Sequence, residues 1–156
     1  MEIISRSAEQ TRRVGMRLGT LLKQGDVIHL IGELGAGKTT FVQGVSAGWG
    51  SLDPATSPTF VLVNVYRRPD SQVLYHLDAY RLSGAQDAWD LDLDEMFEKG
   101  PLLIEWADRI CEALPVDFLS VKLTLVDENQ RDLLIDARGS RYETLLTAFR
   151  KGVYGG

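Results

Sequence analysis

Three glycines, a lysine and a threonine fall together in Gly32-Glu33-Leu34-Gly35-Ala36-Gly37-Lys38-Thr39. Glycines at this spacing let consecutive backbone N–H groups turn toward one anion, and a helix beginning at Lys38 would set its positive end beneath the same group. Lysine supplies a point charge for the β and γ phosphates of a nucleotide, and the threonine hydroxyl is a ligand for the Mg²⁺ that bridges them. The nucleotide contacts therefore fall on Glu33, Leu34, Gly35, Ala36, Gly37, Lys38, Thr39 and Thr40, with Lys38 also acting in the reaction. A glycine turn that merely caps a helix would not need all four fixed positions of such a loop, and all four are present.

A bridging Mg²⁺ also needs a carboxylate at the end of a neighbouring buried strand. Asp78, after Val73-Leu74-Tyr75-His76-Leu77, and Glu105, after Leu102-Leu103-Ile104, both qualify. The second run is the more continuously apolar and so the better central strand, which favours Glu105 beside Thr39 as the metal pair. Asp78 is then left to act on the attacking water or in the metal's outer shell; its plainer reading is a turn cap. His76 alternates with Asp78 and shares its face, and a lone strand histidine is more often structural. His29, inside an apolar strand, reads as structural. Ser57-Pro58-Thr59-Phe60 is either a loop sensing the γ-phosphate through Thr59 or a strand-entry turn.

These groups need a scaffold. Ser7 with Gln10 matches a capping box, and Val14, Leu18, Leu21 and Leu22 form one stripe of a helix over residues 7–23. Val27–Ile31 reads as a strand buried on both faces, running straight into the glycine loop, and a helix follows from Lys38 to about Ala47, stopped by Gly48 and Gly50. Residues 60–66 and 72–77 read as antiparallel strands joined around Arg68-Pro69-Asp70, and residues 101–105 as a further buried strand. A hairpin over residues 121–126 and 133–137 and a helix from Ser140 to Phe149, with Ser140 as N-cap, complete the chain. This alternation predicts an α/β fold of the P-loop NTPase type, with a mostly parallel central sheet flanked by helices and with antiparallel hairpins, as one domain over residues 1–156.

Composition narrows the function classes. A net charge of -5 argues against a broad basic surface for nucleic acid. No apolar run approaches the ~20 residues of a membrane span, the N-terminus lacks a signal-peptide pattern, and Cys111 is the lone cysteine; the expectation is a cytoplasmic protein with no membrane partner. The basic C-terminal residues Arg131, Arg138, Arg141, Arg150 and Lys151 read as a solvated face, with direct nucleic-acid contact as the weaker option. No Asn-Lys-x-Asp guanine-reading motif occurs, and Asp136-Ala137-Arg138-Gly139 lies too late in the chain to serve as a GTPase switch, so adenine is the expected base. Where a small-molecule kinase would carry a basic lid, residues 86–98 hold six acids and no base. That stretch is either a solvated helix face or a docking surface for a basic partner.

Taken in order, the glycine loop, Ser57-Pro58-Thr59-Phe60, Tyr75-His76-Leu77-Asp78-Ala79-Tyr80-Arg81-Leu82 and Leu103-Ile104-Glu105-Trp106 resemble the TsaE family, bacterial ATPases formerly called YjeE, over nearly the whole chain. The resemblance implies an accessory ATPase of tRNA threonylcarbamoyladenosine (t6A) biosynthesis, working with TsaB and TsaD and meeting tRNA only through that complex. It implies ATP and Mg²⁺ as ligands, with Lys38 and the loop amides on the phosphates, Thr39 and Glu105 on the metal, and Asp78 in hydrolysis. It also implies Thr11 and Trp106 near adenine or ribose. One departure is visible: family members tend to have glycine shortly before an aromatic-rich helix, where this chain reads Leu91-Asp92-Leu93-Asp94-Glu95-Met96-Phe97. A small-molecule kinase with a P-loop, or a module that uses ATP only as a structural ligand, are the alternatives.

Overall fold

Val27–Ile31 and Leu102–Glu105 are apolar at nearly every position, a pattern that pays off only when both faces of a strand are covered, and both lie at the centre of the sheet. The computed structural model describes residues 1–33, 35–53, 55 and 63–154. In chain order the elements are β1 (Glu2–Ser5), α1 (Ala8–Gly19), β2 (Val27–Ile31), α2 (Lys38–Trp49), β3 (Val63–Arg67), β4 (Val73–Asp78), α3 (Ala85–Trp89), α4 (Leu93–Lys99), β5 (Leu102–Glu105), a 3-10 segment (Ala107–Ala113), β6 (Phe118–Leu125), β7 (Arg131–Arg138) and α5 (Ser140–Tyr154). The strands form one sheet ordered β1-β7-β6-β2-β5-β4-β3. Its middle, β6-β2-β5-β4, is parallel, and antiparallel strands close both edges.

Both faces are filled. Val14 and Leu18 of α1, Phe41 and Val45 of α2, and Leu145 and Phe149 of α5 pack on Ile28, Leu30, Leu103, Val121 and Leu133. On the opposite face Ala88, Leu93 and Ile110 cover Val27, Leu77, Leu102 and Ile104. The parallel strands place the carboxyl ends of β2, β4 and β5 along one edge, with β5 and β6 on opposite sides of β2; that divergence is where open α/β sheets form their ligand crevice.

Helices α1 and α2 lie almost in backbone contact. A Cβ on Gly15 or Gly19 would fall 2.3 or 2.2 Å from the carbonyl oxygens of Phe41 or Val45, and one on Gly44 or Gly48 would fall 2.0 Å from those of Arg12 or Met16. Gly48, expected to stop the second helix, therefore lies inside it as a packing position, and α2 ends only at Gly50, in the left-handed conformation.

Ser7 caps α1 as expected, accepting from the Gln10 N–H at 3.1 Å, while Gln10 Oε1 accepts from the Arg6 N–H. The helix is shorter than the sequence suggested, ending at Gly19. Ser140 is the first helical residue of α5 rather than its cap; Gly139, at φ 97°, makes the turn before it. Strand β1 went unread because it is four residues long and finds its partners, residues 131–134, at the far end of the chain. Residues 86–98 form two short helices that bury Ala88 and Leu93 and turn most of their acids to solvent. Between them Asp92 takes the left-handed conformation, φ 58°, which a glycine would adopt without strain.

Candidate functional site

Strand β2 ends at Ile31, and the chain turns through Gly32 and Gly35 to Gly37, whose φ of 95° redirects it into α2. Gly37 offers no side chain to cap α2, and among the described residues no side chain accepts from the N–H groups of its first turn, which are open to another acceptor. A Cβ at Gly32 would meet the Leu123 carbonyl oxygen at 2.8 Å, so the loop also lies hard against β6. Leu34, Thr59 and the rest of Ser57-Pro58-Thr59-Phe60 lie outside the described residues.

Lys38, in the first turn of α2, points toward the carboxyl end of β5. Its Nζ is 3.1 Å from Glu105 Oε1, with both side chains largely buried. Glu105 Oε2 is 2.9 Å from His76 Nε2, and His76 Nδ1 is 3.2 Å from the Tyr66 hydroxyl. Tyr66, His76 and Glu105 are 2%, 1% and 7% exposed, so a buried polar chain runs from β3 through β4 and β5 to Lys38. Burial alone would raise the Glu105 carboxyl, but the hydrogen bond and charge of His76, followed by Lys38, outweigh it and hold it below the usual range. Glu105 is therefore an anion near neutral pH.

Asp78 and Glu105 are register partners on parallel β4 and β5, so the two candidate carboxylates sit side by side at the sheet edge. Asp78 Oδ1 accepts from the Tyr80 N–H at 2.9 Å, which makes it a turn cap; this leaves its second oxygen without a hydrogen bond or ion pair among the described residues. Thr39 is exposed, and among the described residues no hydrogen bond engages its hydroxyl. Thr39 and Glu105 could thus offer two oxygen ligands to a hard cation, and Mg²⁺ asks for no more, since it keeps waters and phosphate oxygens for the rest. Among the described residues no group of three or more His, Cys, Asp and Glu could hold a metal alone.

A cavity opens beside the α2 N-terminus, lined by Ala8, Thr11, Gly37, Thr40, Glu128, Asn129 and Arg131. Thr11 is 1% exposed, and its hydroxyl shares a 2.7 Å hydrogen bond with Ser5. Trp106 is not part of this cavity. It is 41% exposed, sits at φ 60° directly after Glu105, and lies with its ring centroid 5.8 Å from Lys38 Nζ and 5.1 Å from that of Tyr80. Thr11 thus lines the cavity beside the α2 N-terminus, and Trp106 stands against Lys38 and Tyr80.

Sequence reasoning missed Arg131 and Asn129 as cavity residues. Nothing local marks them, because they reach the loop only through the β6–β7 hairpin. Arg131 lies over Gly37, its Nη1 donates to the Asp127 carbonyl at 2.9 Å, and its buried Nε has no partner among the described residues. The basic C-terminal group is not one face: Arg138 covers the Phe118 ring, and Arg141 is bound to Asp26. His29 is structural as expected, stacked on Phe118 with centroids 3.7 Å apart and its pKa lowered to about 4, by burial first and then by the charge of Arg138. Asp136-Ala137-Arg138-Gly139 falls at the end of β7, in the hairpin as expected. No helix among the described residues is long and apolar enough to cross a membrane.

The family model described as "Threonylcarbamoyl adenosine biosynthesis protein TsaE" matches residues 5–133. Curated relatives named tRNA threonylcarbamoyladenosine biosynthesis protein TsaE include that of Treponema pallidum, 38% identical over 136 residues covering 86% of this chain and 99% of the relative. That of Bacillus subtilis is 39% identical over 139 residues, covering 88% and 85%. That of a Nostoc species is 42% identical over 128 residues, covering 79% and 77%. The crystal structure of Bacillus subtilis YdiB superposes with a TM-score of 0.81 at 33% identity, covering 98% of this chain and 95% of that one.

Proposed function

The chain belongs to the TsaE family, and from that premise we propose that it is an ATP-hydrolysing accessory protein for tRNA t6A modification, acting with TsaB and TsaD and meeting tRNA through them. The observation that carries this reading is the pairing of Lys38, in the first turn of an uncapped helix, with Glu105 at the end of the adjacent parallel strand, 3.1 Å away.

A triphosphate seated on residues 33–40 would take its charge balance from Lys38 and from the free N–H groups of α2. Lys38 would then exchange its carboxylate partner for phosphate oxygens, freeing Glu105 Oε1. Mg²⁺ held by Thr39 and Glu105 would neutralise charge that develops on the phosphate oxygens. Asp78, capping the Tyr80 turn through one oxygen, would keep the other to orient the attacking water or to stand in the metal's outer shell. The water oxygen would bond the γ-phosphorus as the bond to the β,γ-bridging oxygen breaks, ADP leaving and the water's proton passing to the released phosphate. Thr11 and Thr40, facing one cavity beside the loop, are suited to the nucleoside. Catalysis would rest on positioning and charge, which fits slow turnover by the isolated chain and stimulation by a partner.

The test is ATP hydrolysis by the purified chain, alone and with TsaB, TsaD and tRNA, for wild type, Lys38→Ala and Glu105→Ala. Partner-stimulated turnover that both variants lose is the expected result. Turnover indifferent to TsaB and TsaD would keep an ATPase and remove its role in t6A synthesis, and wild-type rates in both variants would remove the site.

A further inference from the structure

We infer that His76, itself anchored by Tyr66, is the positioning residue that fixes the rotamer of Glu105 and so presents Oε1 alone to the loop. The inference rests on the reading of Glu105 as a metal ligand. A carboxylate at the end of a strand has two equivalent oxygens and a freely turning terminal torsion. Here that freedom is removed from behind. His76 Nε2 holds Oε2 at 2.9 Å, while Oε1 faces Lys38 at 3.1 Å.

The histidine is held in turn. It lies on β4 one residue pair before Asp78, opposite Leu103 in the register that sets Asp78 opposite Glu105. Its Nδ1 is 3.2 Å from the Tyr66 hydroxyl, and Tyr66 is itself 2% exposed and lies on β3, within the same antiparallel pair. Nε2–H donates to Glu105 Oε2, and Nδ1 shares the second hydrogen bond with the Tyr66 hydroxyl, so both ring nitrogens are engaged. Three strands therefore contribute one member each to a buried line ending at Oε1, all on the sheet face that carries α2. Partners of this kind, one bond behind a ligand, set its orientation and basicity, and their loss typically costs about 10–100-fold in metal affinity.

The test measures binding of a non-hydrolysable ATP analogue by calorimetry, in EDTA and across a Mg²⁺ series, for the full chain carrying His76→Leu, His76→Gln, Tyr66→Phe or Glu105→Gln. His76→Leu should leave the affinity in EDTA within about 2-fold of wild type and raise the Mg²⁺ needed for half-maximal enhancement about 10-fold or more. His76→Gln, which can bring a side-chain N–H back toward Oε2, should recover most of that shift, and Tyr66→Phe should move it in the same direction by a smaller factor. A wild-type Mg²⁺ response in His76→Leu, or an equal loss of affinity in EDTA and Mg²⁺, overturns the inference. Should His76→Leu not fold, judged by circular dichroism, an unchanged Mg²⁺ response in Tyr66→Phe overturns it instead. Glu105→Gln separates the two levels. If it keeps the wild-type Mg²⁺ response, the metal reading of Glu105 falls and this inference with it; if it alone loses the response, only the inference falls.

Discussion

Gly44→Ala tests whether the close approach of α1 and α2 is a constraint or an accident. The added Cβ would fall 2.0 Å from the Arg12 carbonyl oxygen, 2.9 Å from its carbonyl carbon and 3.1 Å from its Cα, whereas ordinary contact begins at 3.4 Å. Relief requires a shift of 3.4 − 2.0, or about 1.4 Å, between two backbones, and no rotamer change can supply it because every atom met is main chain. Two effects oppose each other. Replacing a mid-helix glycine gains about 1 kcal/mol of helix propensity, while overpacking a close-packed interface costs about 1–3 kcal/mol and more where backbone must move. With Val14, Leu18, Phe41 and Val45 buried in the same interface and only main chain able to yield, the cost should reach about 3–4 kcal/mol, so that the strain wins by about 2–3 kcal/mol. For a chain of this size that lowers Tm by about 4–12 °C. Differential scanning calorimetry reads it directly, with Gly84→Ala as control, since its Cβ meets nothing within 4 Å. The same displacement would move Thr11 away from Thr40 and weaken nucleotide binding. A Gly44→Ala melting point at or above wild type would refute the reasoning.

His29→Phe should flatten the acid limb of the stability profile. The folded-state pKa of His29, about 4, lies below the ordinary 6.5, so the unfolded chain takes up a proton first, and wild type loses stability as pH falls from 6.5 toward 4 while the variant does not. Allowing for partial exposure, the difference should be about 2 kcal/mol; urea midpoints at pH 7.5 and 4.5 that fall in parallel for both proteins would contradict it. Arg141→Ala leaves Asp26, 3% exposed, without its two-pronged partner at 2.9 and 2.8 Å. It should cost about 2–3 kcal/mol in chemical denaturation, with Arg141→Lys recovering only part; a loss under ~1 kcal/mol would show the pair to be dispensable. Asp78→Asn keeps an oxygen for the Tyr80 N–H, so Tm and Mg²⁺-nucleotide affinity should hold while hydrolysis falls on the order of 100-fold. Undiminished turnover would return Asp78 to a purely capping role.

Local grammar made most of the scaffold legible. The capping pair Ser7 and Gln10, the both-sided apolar runs at 27–31 and 102–105 and the hairpin turns each carry their signal within a few residues. What escaped was nonlocal or conditional. Strand β1 exists only because β7 offers it an edge, and Gly48 reads as a stop unless Met16 is known to lie against it. Ser140 resembles a cap until Gly139 takes the turn.

The candidate site divides along the same line. The sequence alone determined the glycine loop, Lys38 and Thr39, since backbone freedom, charge and a hydroxyl must be adjacent in the chain to work on one phosphate group. It also determined that Asp78 and Glu105 end buried strands. Only the tertiary structure decided that those strands are register partners, that Tyr66 and His76 stand behind Glu105, that Arg131 lies over Gly37, and that Trp106 stands against Lys38. Strand pairing and helix packing bring together residues separated by tens of positions, and no local pattern of residue types specifies which of several equally apolar strands will be the neighbour.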